Sequence, residues 1–200
     1  MNLPRLALLL VVGCLVHPLT ARSAPVAPPF AMDKQYSAEL MIMMKDGTTM
    51  RGKTYIDGDK IRSEMTTSGM DTVSIIRQDE KKMFLLVIPS KMAMEMPYDP
   101  DKINKQPGAN FGPEGKFELI GPEKSDGIDC AKYKVTSEKN GQVYFFWLDE
   151  AKKVPVRMEA EDKSVILKWR NYKVGPQDGA LFLVPTGFQV MQMPAIPGAQ

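Results

Sequence analysis

Histidine and cysteine are all but missing from this chain of 200 residues, which holds one His (His17) and two Cys (Cys14 and Cys130). The first 23 residues contain His17, Cys14, Arg5 and Arg22 and no acidic residue. Without them the chain keeps no His and one Cys, Cys130. Such a remainder cannot assemble a Ser-His-Asp triad, a Cys-His dyad, a His-ligated zinc site, a CxxC site or an intramolecular disulfide. Charge of either sign is also not in surplus. Of 26 basic residues two fall in the first 23, leaving 24 against 24 acidic ones. A neutral chain lacks the basic excess on which nucleic-acid binding rests, so no nucleic-acid partner is expected. Long apolar runs are absent too. The longest, Leu6–Val16, ends at Pro18 and is too short for a bilayer-spanning helix, which needs about 20 residues.

A basic start, a short apolar stretch and small residues after it describe a secretory signal peptide over 1–23. Cleavage after Ser23 places Ala21 at the third position before the cut; cleavage after Ala21 competes, and a buried N-terminal helix is the bland alternative. Val11-Val12-Gly13-Cys14 also resembles a bacterial lipobox, which would place a lipid anchor on Cys14. On either reading the product is exported, to a bacterial periplasm, and is peripheral to a membrane at most. Residues 24–33 open with the Pro- and Ala-rich run APVAPPFA, an extended linker, and 191–200 read as a disordered tail. The folded domain is expected over 34–190.

Within it, turn-forming pairs recur: Asp46-Gly47, Asp57-Gly58, Ser68-Gly69, Asp126-Gly127, Asn140-Gly141 and Asp178-Gly179. Such pairs favour the positive φ of tight hairpins. Between them lie eleven strand-like segments: 34–45, 48–57, 60–67, 71–78, 82–89, 91–98, 116–121, 128–138, 142–149, 154–161 and 164–174. No apolar stripe at helical spacing occurs after residue 23, beyond one short turn near Asp178–Leu181 that Asp178 would cap. Residues 99–115, with three Pro and three Gly, predict a long loop. The fold class is therefore all-β. A single antiparallel sheet of about eleven strands must curl, close or split, and a half-open barrel with few or no helices is expected.

Period-two reading divides the faces. Tyr36, Ala38, Leu40, Ile42 and Met44 share one side of their strand, and Met92, Met94 and Met96 share one side of theirs, with Lys91 and Glu95 opposite. Two segments, Met83–Ile88 and Val143–Leu148, are apolar on both sides and need cover on both. That cover would come from the curl of the sheet, from 99–115, from the C-terminal segment or from a bound partner. An apolar concave face of this kind suits a greasy ligand. Its expected lining is Met92, Met94, Met96, Leu85, Val87, Phe145 and Trp147, with Arg62 and Arg77 as rim charges.

The order of several stretches is similar to a known family. Tyr55, Arg62, Glu64 and Met65 are followed by Ser74, Arg77 and Asp79, then Lys82, Phe84, Pro89 and Tyr98. Further on come Gly127, Cys130 and Tyr133; Phe146, Trp147 and Asp149; Pro155, Arg157 and Met158; and Leu181, Phe182, Pro185, Gly187 and Phe188. Over about 35–190 this order resembles the DUF4412 family of exported bacterial proteins. That family in turn resembles the LolA and LolB type of periplasmic lipoprotein carrier. The resemblance implies a strongly curved antiparallel sheet of about eleven strands whose concave face, in the carriers, holds acyl chains under a helical lid. The amphipathic lid helices are not legible here. No catalytic residue is carried over, since the family offers no catalytic motif to match.

The remaining constellations have competing readings. The 15 methionines, clustered as Met41/Met43/Met44, Met92/Met94/Met96 and Met191/Met193, suit core packing, the lining of a hydrophobic site, or thioether ligation of Cu(I). Alternate residues on one strand stand about 7 Å apart, so a Met pair on one strand chelates poorly without help from another strand. Arg62, Glu64, Arg77 and Asp79 suit cross-strand ion pairs on a wet face or an anion clamp at the cavity rim. Asp57-Gly58-Asp59 lacks the later ligands of a calcium loop and reads as a turn. Cys130 reads as a small apolar strand residue, and no carboxylate pair is singled out for glycoside hydrolysis. The chain therefore reads as a non-enzymatic exported protein that binds a lipid, an acyl chain or a lipidated protein, without cofactor or assigned metal site. The alternatives are a structural or interaction module of the cell envelope whose concave face is filled by Leu181–Met191 and, more remotely, Met-based Cu(I) binding.

The leader reading has a direct test. Cells expressing the protein and fed radioactive fatty acid should yield a mature chain that starts at Ala24 or Arg22 and carries no label. Label on wild type that is lost in Cys14→Ser would establish the lipobox instead.

Overall fold

The computed structural model describes residues 33–99, 115–138 and 140–193. The leader, the linker before Asp33, most of the expected 99–115 loop and the tail from 194 lie outside the described residues. Twelve strands follow one another: β1 (Gln35–Met44), β2 (Thr49–Asp57), β3 (Lys60–Thr67), β4 (Met70–Arg77), β5 (Lys82–Val87), β6 (Met92–Pro97), β7 (Lys116–Ser125), β8 (Ile128–Thr136), β9 (Val143–Asp149), β10 (Pro155–Ala160), β11 (Val165–Val174) and β12 (Gln189–Gln192). Single 3-10 turns cover Gln78–Glu80 and Gly179–Phe182. Asp178 caps the second, its Oδ1 accepting from the Ala180 amide at 2.9 Å.

The hairpins form where the sequence places them. Ser68 and Gly69 both have positive φ (50° and 81°), as do Asp126 and Gly127 (49° and 83°). These two-residue turns match the right-handed twist of the strands they join. The expected six turn pairs hold for five; Asp178-Gly179 opens the 3-10 turn instead.

All strands join one sheet in the order β12-β6-β5-β4-β3-β2-β1-β11-β10-β9-β8-β7. Neighbours are antiparallel, except that β12 runs parallel to β6. The all-β, half-open curved sheet expected from the sequence holds, with one strand beyond the roughly eleven expected and one parallel pair: part of the segment after β11, not read as a strand, returns as β12 with Met191 and Gln192. A four-residue strand without alternating burial carries no period-two signature, since all four of its residues are exposed. β7 likewise runs on through Pro122 to Ser125; it is an edge strand, where a missing amide is tolerated.

Register, followed strand by strand, assigns every residue to one of two faces, because directly paired residues project to the same side. One face carries Tyr36, Ala38, Leu167, Trp169, Met158, Phe146, Leu148 and Val135, all at most 4% exposed. Among the described residues only side chains of the sheet itself cover this cluster, including Leu40, Ile56, Phe117 and Tyr133. A sheet buries its own face in this way only by curling around it, so this is the inner, concave face. Three bulges, at Ser37/Glu39, Leu119/Gly121 and Pro155/Arg157, add local bending. At Gly52 a Cβ would collide with the Glu64 carbonyl oxygen, so only glycine allows β2 to approach β3 there.

The second core lies on the other, outer face. Val73, Ile75, Leu86 and Ala93 of β4–β6 are covered by Phe182, with Leu181, Val184 and Phe188 beside it. The chain beyond β11 thus crosses the outer face of β3–β6 before joining β6 as β12. Phe182 is 1% exposed and anchors that crossing. Phe182→Ala should lower the unfolding free energy in urea by about 3 kcal/mol or more. Leu183→Ala, at a side chain 55% exposed, should change it by less than about 0.5 kcal/mol.

Candidate functional site

Beyond the closed core, the inner face continues over β2–β6. Its side chains there are Met50, Thr54 and Ile56 of β2; Ile61, Ser63 and Met65 of β3; Thr72, Ser74 and Ile76 of β4; Met83, Leu85 and Val87 of β5; and Met92, Met94 and Met96 of β6. None is charged. Apart from buried Thr54 they are half-buried or exposed, in contrast to the tight core next to them. The C-terminal segment does not fill this face, because Leu181, Phe182, Val184 and Phe188 lie on the opposite one.

The structure brings Met92, Met94, Met96, Leu85 and Val87 together as expected: Leu85 pairs with Met94, Val87 with Met92 and Met83 with Met96. Phe145 and Trp147 are corrections. Their partners are Lys134 and Lys132 on β8 and Glu159 and Arg157 on β10, all on the outer face. The inner-face residues of β9 are Tyr144, Phe146 and Leu148, which sequence reasoning passed over. The segment is apolar on both sides, so composition did not separate them. The cationic residues 132 and 134 of the adjoining strand were the available signal.

Trp147 sits 3% exposed in an outer-face cluster with Cys130, Val156 and Phe145. Its Nε1–H donates to Glu123 Oε1 at 3.0 Å. Lys132 Nζ and the Arg157 guanidinium each stand 4.7 Å from its ring centroid. The hydrogen bond from Lys132, then that from Trp147, holds the Glu123 carboxyl below its ordinary range. Asp126, in the β7–β8 turn, accepts from Lys168 and Arg170 of β11 at 2.8 and 3.2 Å, and those bonds lower its pKa. The turn is thereby tied across the outer face. Burial pushes the Cys130 thiol up, away from the reactive thiolate.

Arg62 and Arg77 also project from the outer face, paired in register with Ile75 and Lys82. They do not rim the inner one. Arg62 Nε donates to Glu64 at 2.7 Å, and its guanidinium donates to the Leu181 carbonyl at 3.1 Å, clamping the C-terminal segment. Arg77 binds Asp79 through two bonds of 2.9 and 2.8 Å and pairs with Glu80. Both sets form within one segment rather than across the hairpin: Arg62 and Glu64 are two apart on β3 and share a face, and Arg77 at the end of β4 meets Asp79 and Glu80 of the 3-10 turn that follows it.

At one end of the inner core the Tyr36 and Tyr172 rings stack at 4.5 Å, and the Tyr172 hydroxyl donates to Asp33 at 3.1 Å. Burial, reinforced by the Asp33 carboxylate, pushes the Tyr36 phenol up to about 12. Burial raises Tyr172 as well. Among the described residues no three His, Cys, Asp or Glu side chains converge as a metal site.

A family model described as a domain of unknown function, DUF4412, matches residues 37–152, from β1 to the β9–β10 turn. The chain belongs to the DUF4412 family. No curated protein sequence matches it. Among solved structures, this DUF4412 chain is similar to an uncharacterized conserved protein from Thermus thermophilus. The identity is 15% and the TM-score 0.56, over 81% of this chain and 92% of that one. It is also similar to the lipoprotein LppX from Mycobacterium tuberculosis (10% identity, TM-score 0.46, 72% and 89% covered). A third match is LprF from Mycobacterium bovis (13%, TM-score 0.43, 72% and 89%). The Thermus match shows a shared fold and nothing beyond it.

The tyrosine pair gives the DUF4412 domain an alkaline limit. In the unfolded chain a phenol ionises near pH 10, whereas Tyr36 stays neutral until about 12 in the fold. The unfolded state therefore sheds its proton first. The stabilisation is complete below about pH 10 and is lost as pH rises toward about 12. Urea midpoints measured from about pH 9 to 11 should fall, and Tyr36→Phe should flatten part of that fall.

Proposed function

We propose that this protein is an exported, non-enzymatic carrier that holds a hydrophobic ligand against the inner face of β2–β6. The ligand is a lipid, an acyl chain or a lipidated protein. One observation carries the reading. Among the described residues the inner face is closed and tightly packed over β1 and β8–β11, yet over β3–β6 it is uncharged, half-exposed and mostly apolar, interrupted only by the hydroxyls of Ser63, Thr72 and Ser74, while Leu181–Phe188 packs on the outer face. A contiguous apolar surface left open inside a curved sheet suits a ligand that brings its own apolar area. Burying an acyl chain there contributes about 0.8 kcal/mol per CH₂. Methionine suits such a lining, since its flexible thioether adapts to chains of varied shape. The position of Leu181–Phe188 on the outer face counts against a module whose cavity is filled by its own tail. Export follows the leader read over residues 1–23.

The test uses a dansyl-labelled fatty acid. Wild type should bind it with enhanced fluorescence. Met94→Asp should weaken binding at least tenfold, since a carboxylate would have to be desolvated beneath the chain. Glu95→Gln, one residue away on the outer face beside Lys82, should change binding less than twofold. Equal losses in two folded variants, or no binding by wild type, would overturn the proposal.

A further inference from the structure

Methionine is concentrated at one edge of the inner face more densely than an apolar lining requires. Met83 of β5 lies directly across from Met96 of β6, and Met94 of β6 lies directly across from Met191 of β12. Lateral partners of these two kinds stand about 4.5–5.5 Å apart between Cα atoms, and Met94 and Met96 stand about 7 Å apart along β6. The parallel return of the chain as β12 is what adds Met191, because register partners in a parallel pair share a face. The strand help that a lone Met-x-Met-x-Met run lacks is thus supplied on both sides of β6.

We propose that the β5–β6–β12 edge of the inner face binds one Cu(I) ion through the thioethers of Met83, Met94, Met96 and Met191. Soft thioether sulfur selects Cu(I) among biological metals. These four residues form a compact group on three adjacent strands, and the flexible methionine stem lets neighbouring sulfurs converge. The site is reachable: Met191 is 43% exposed and the other three are half-buried. It also carries no competing cation. Lys82 and Glu95, the nearest ion pair, project from the opposite face, and no Lys or Arg among the described residues of β2–β6 points to the inner one. Thioethers have no proton to lose, so binding needs no deprotonation step. The inference does not rest on the lipid reading, because it needs sulfur where that reading needs only apolar area.

The experiment is an anaerobic titration of the protein with Cu(I) in competition with bicinchoninate, read by the colour of the copper–bicinchoninate complex. Wild type should withdraw about one equivalent of copper. Its affinity should hold when the solution is acidified through the histidine range. Met96→Leu and Met191→Leu should each weaken binding at least tenfold, and the fourfold Met→Leu variant should abolish it. Leucine conserves apolar volume, and Met191 is too exposed for its loss to unfold the chain. Met41→Leu with Met43→Leu, on the outer face of β1, should bind as wild type does. Ile61→Asp, on the inner face of β3 and outside the group of four, should weaken dansyl fatty-acid binding and leave copper binding as in wild type, so failure of the copper site and failure of the lipid reading are told apart. A wild type that leaves all copper with bicinchoninate, or a fourfold variant that competes as well as wild type, would overturn the proposal.

Discussion

Among the described residues the twelve strands have no helical layer, and two things cover them, their own curvature and the segment beyond β11. This fold uses each on a different face. Over β1 and β8–β11 the sheet curls until Tyr36, Phe146, Met158, Leu167 and Trp169 cover one another. Over β3–β6 curvature alone does not close the inner face. There the tail is bound on the outside, by Phe182 in the pocket of Val73, Ile75, Leu86 and Ala93 and by the Arg62 bond to the Leu181 carbonyl. The division leaves one apolar strip with neither kind of cover.

The charged residues serve this arrangement. Arg62, Arg77, Lys132, Arg157 and Lys168 all project outward, where each meets a carboxylate from its own or a nearby strand. Half-exposed pairs of this kind add little stability each. Their larger effect is positional. The Asp126 bonds hold the β7–β8 turn across the outer face, and Arg62 fixes the tail. An inner face uncharged over β2–β6 is the complement of that sorting, and it is the property on which both a greasy ligand and a soft monovalent ion depend.

Much of this was legible in the residues. Hairpin pairs such as Ser68-Gly69 and Asp126-Gly127 located the turns, because few residues adopt positive φ without cost. Alternation showed that Met92, Met94 and Met96 share a side and that Arg62 and Glu64 share another. The strand β12 left no mark of its own, since its exposed residues do not alternate and its ladder is made with β6.

The sequence by itself determined eleven of the twelve strands, the scarcity of histidine and cysteine, and the sidedness of residues within each strand. Those follow from composition and from a period of two, which are local. The tertiary structure decided which side of one strand meets which side of another. That relation runs through every strand pairing that intervenes, and one slip or bulge reverses it. Hence Phe145 and Trp147 fell outside and Phe146 and Leu148 inside, by the register of β8, β9 and β10. Hence also Met191, far from Met94 in sequence, stands beside it: a long-range backbone ladder placed it there, and no local pattern records such a ladder.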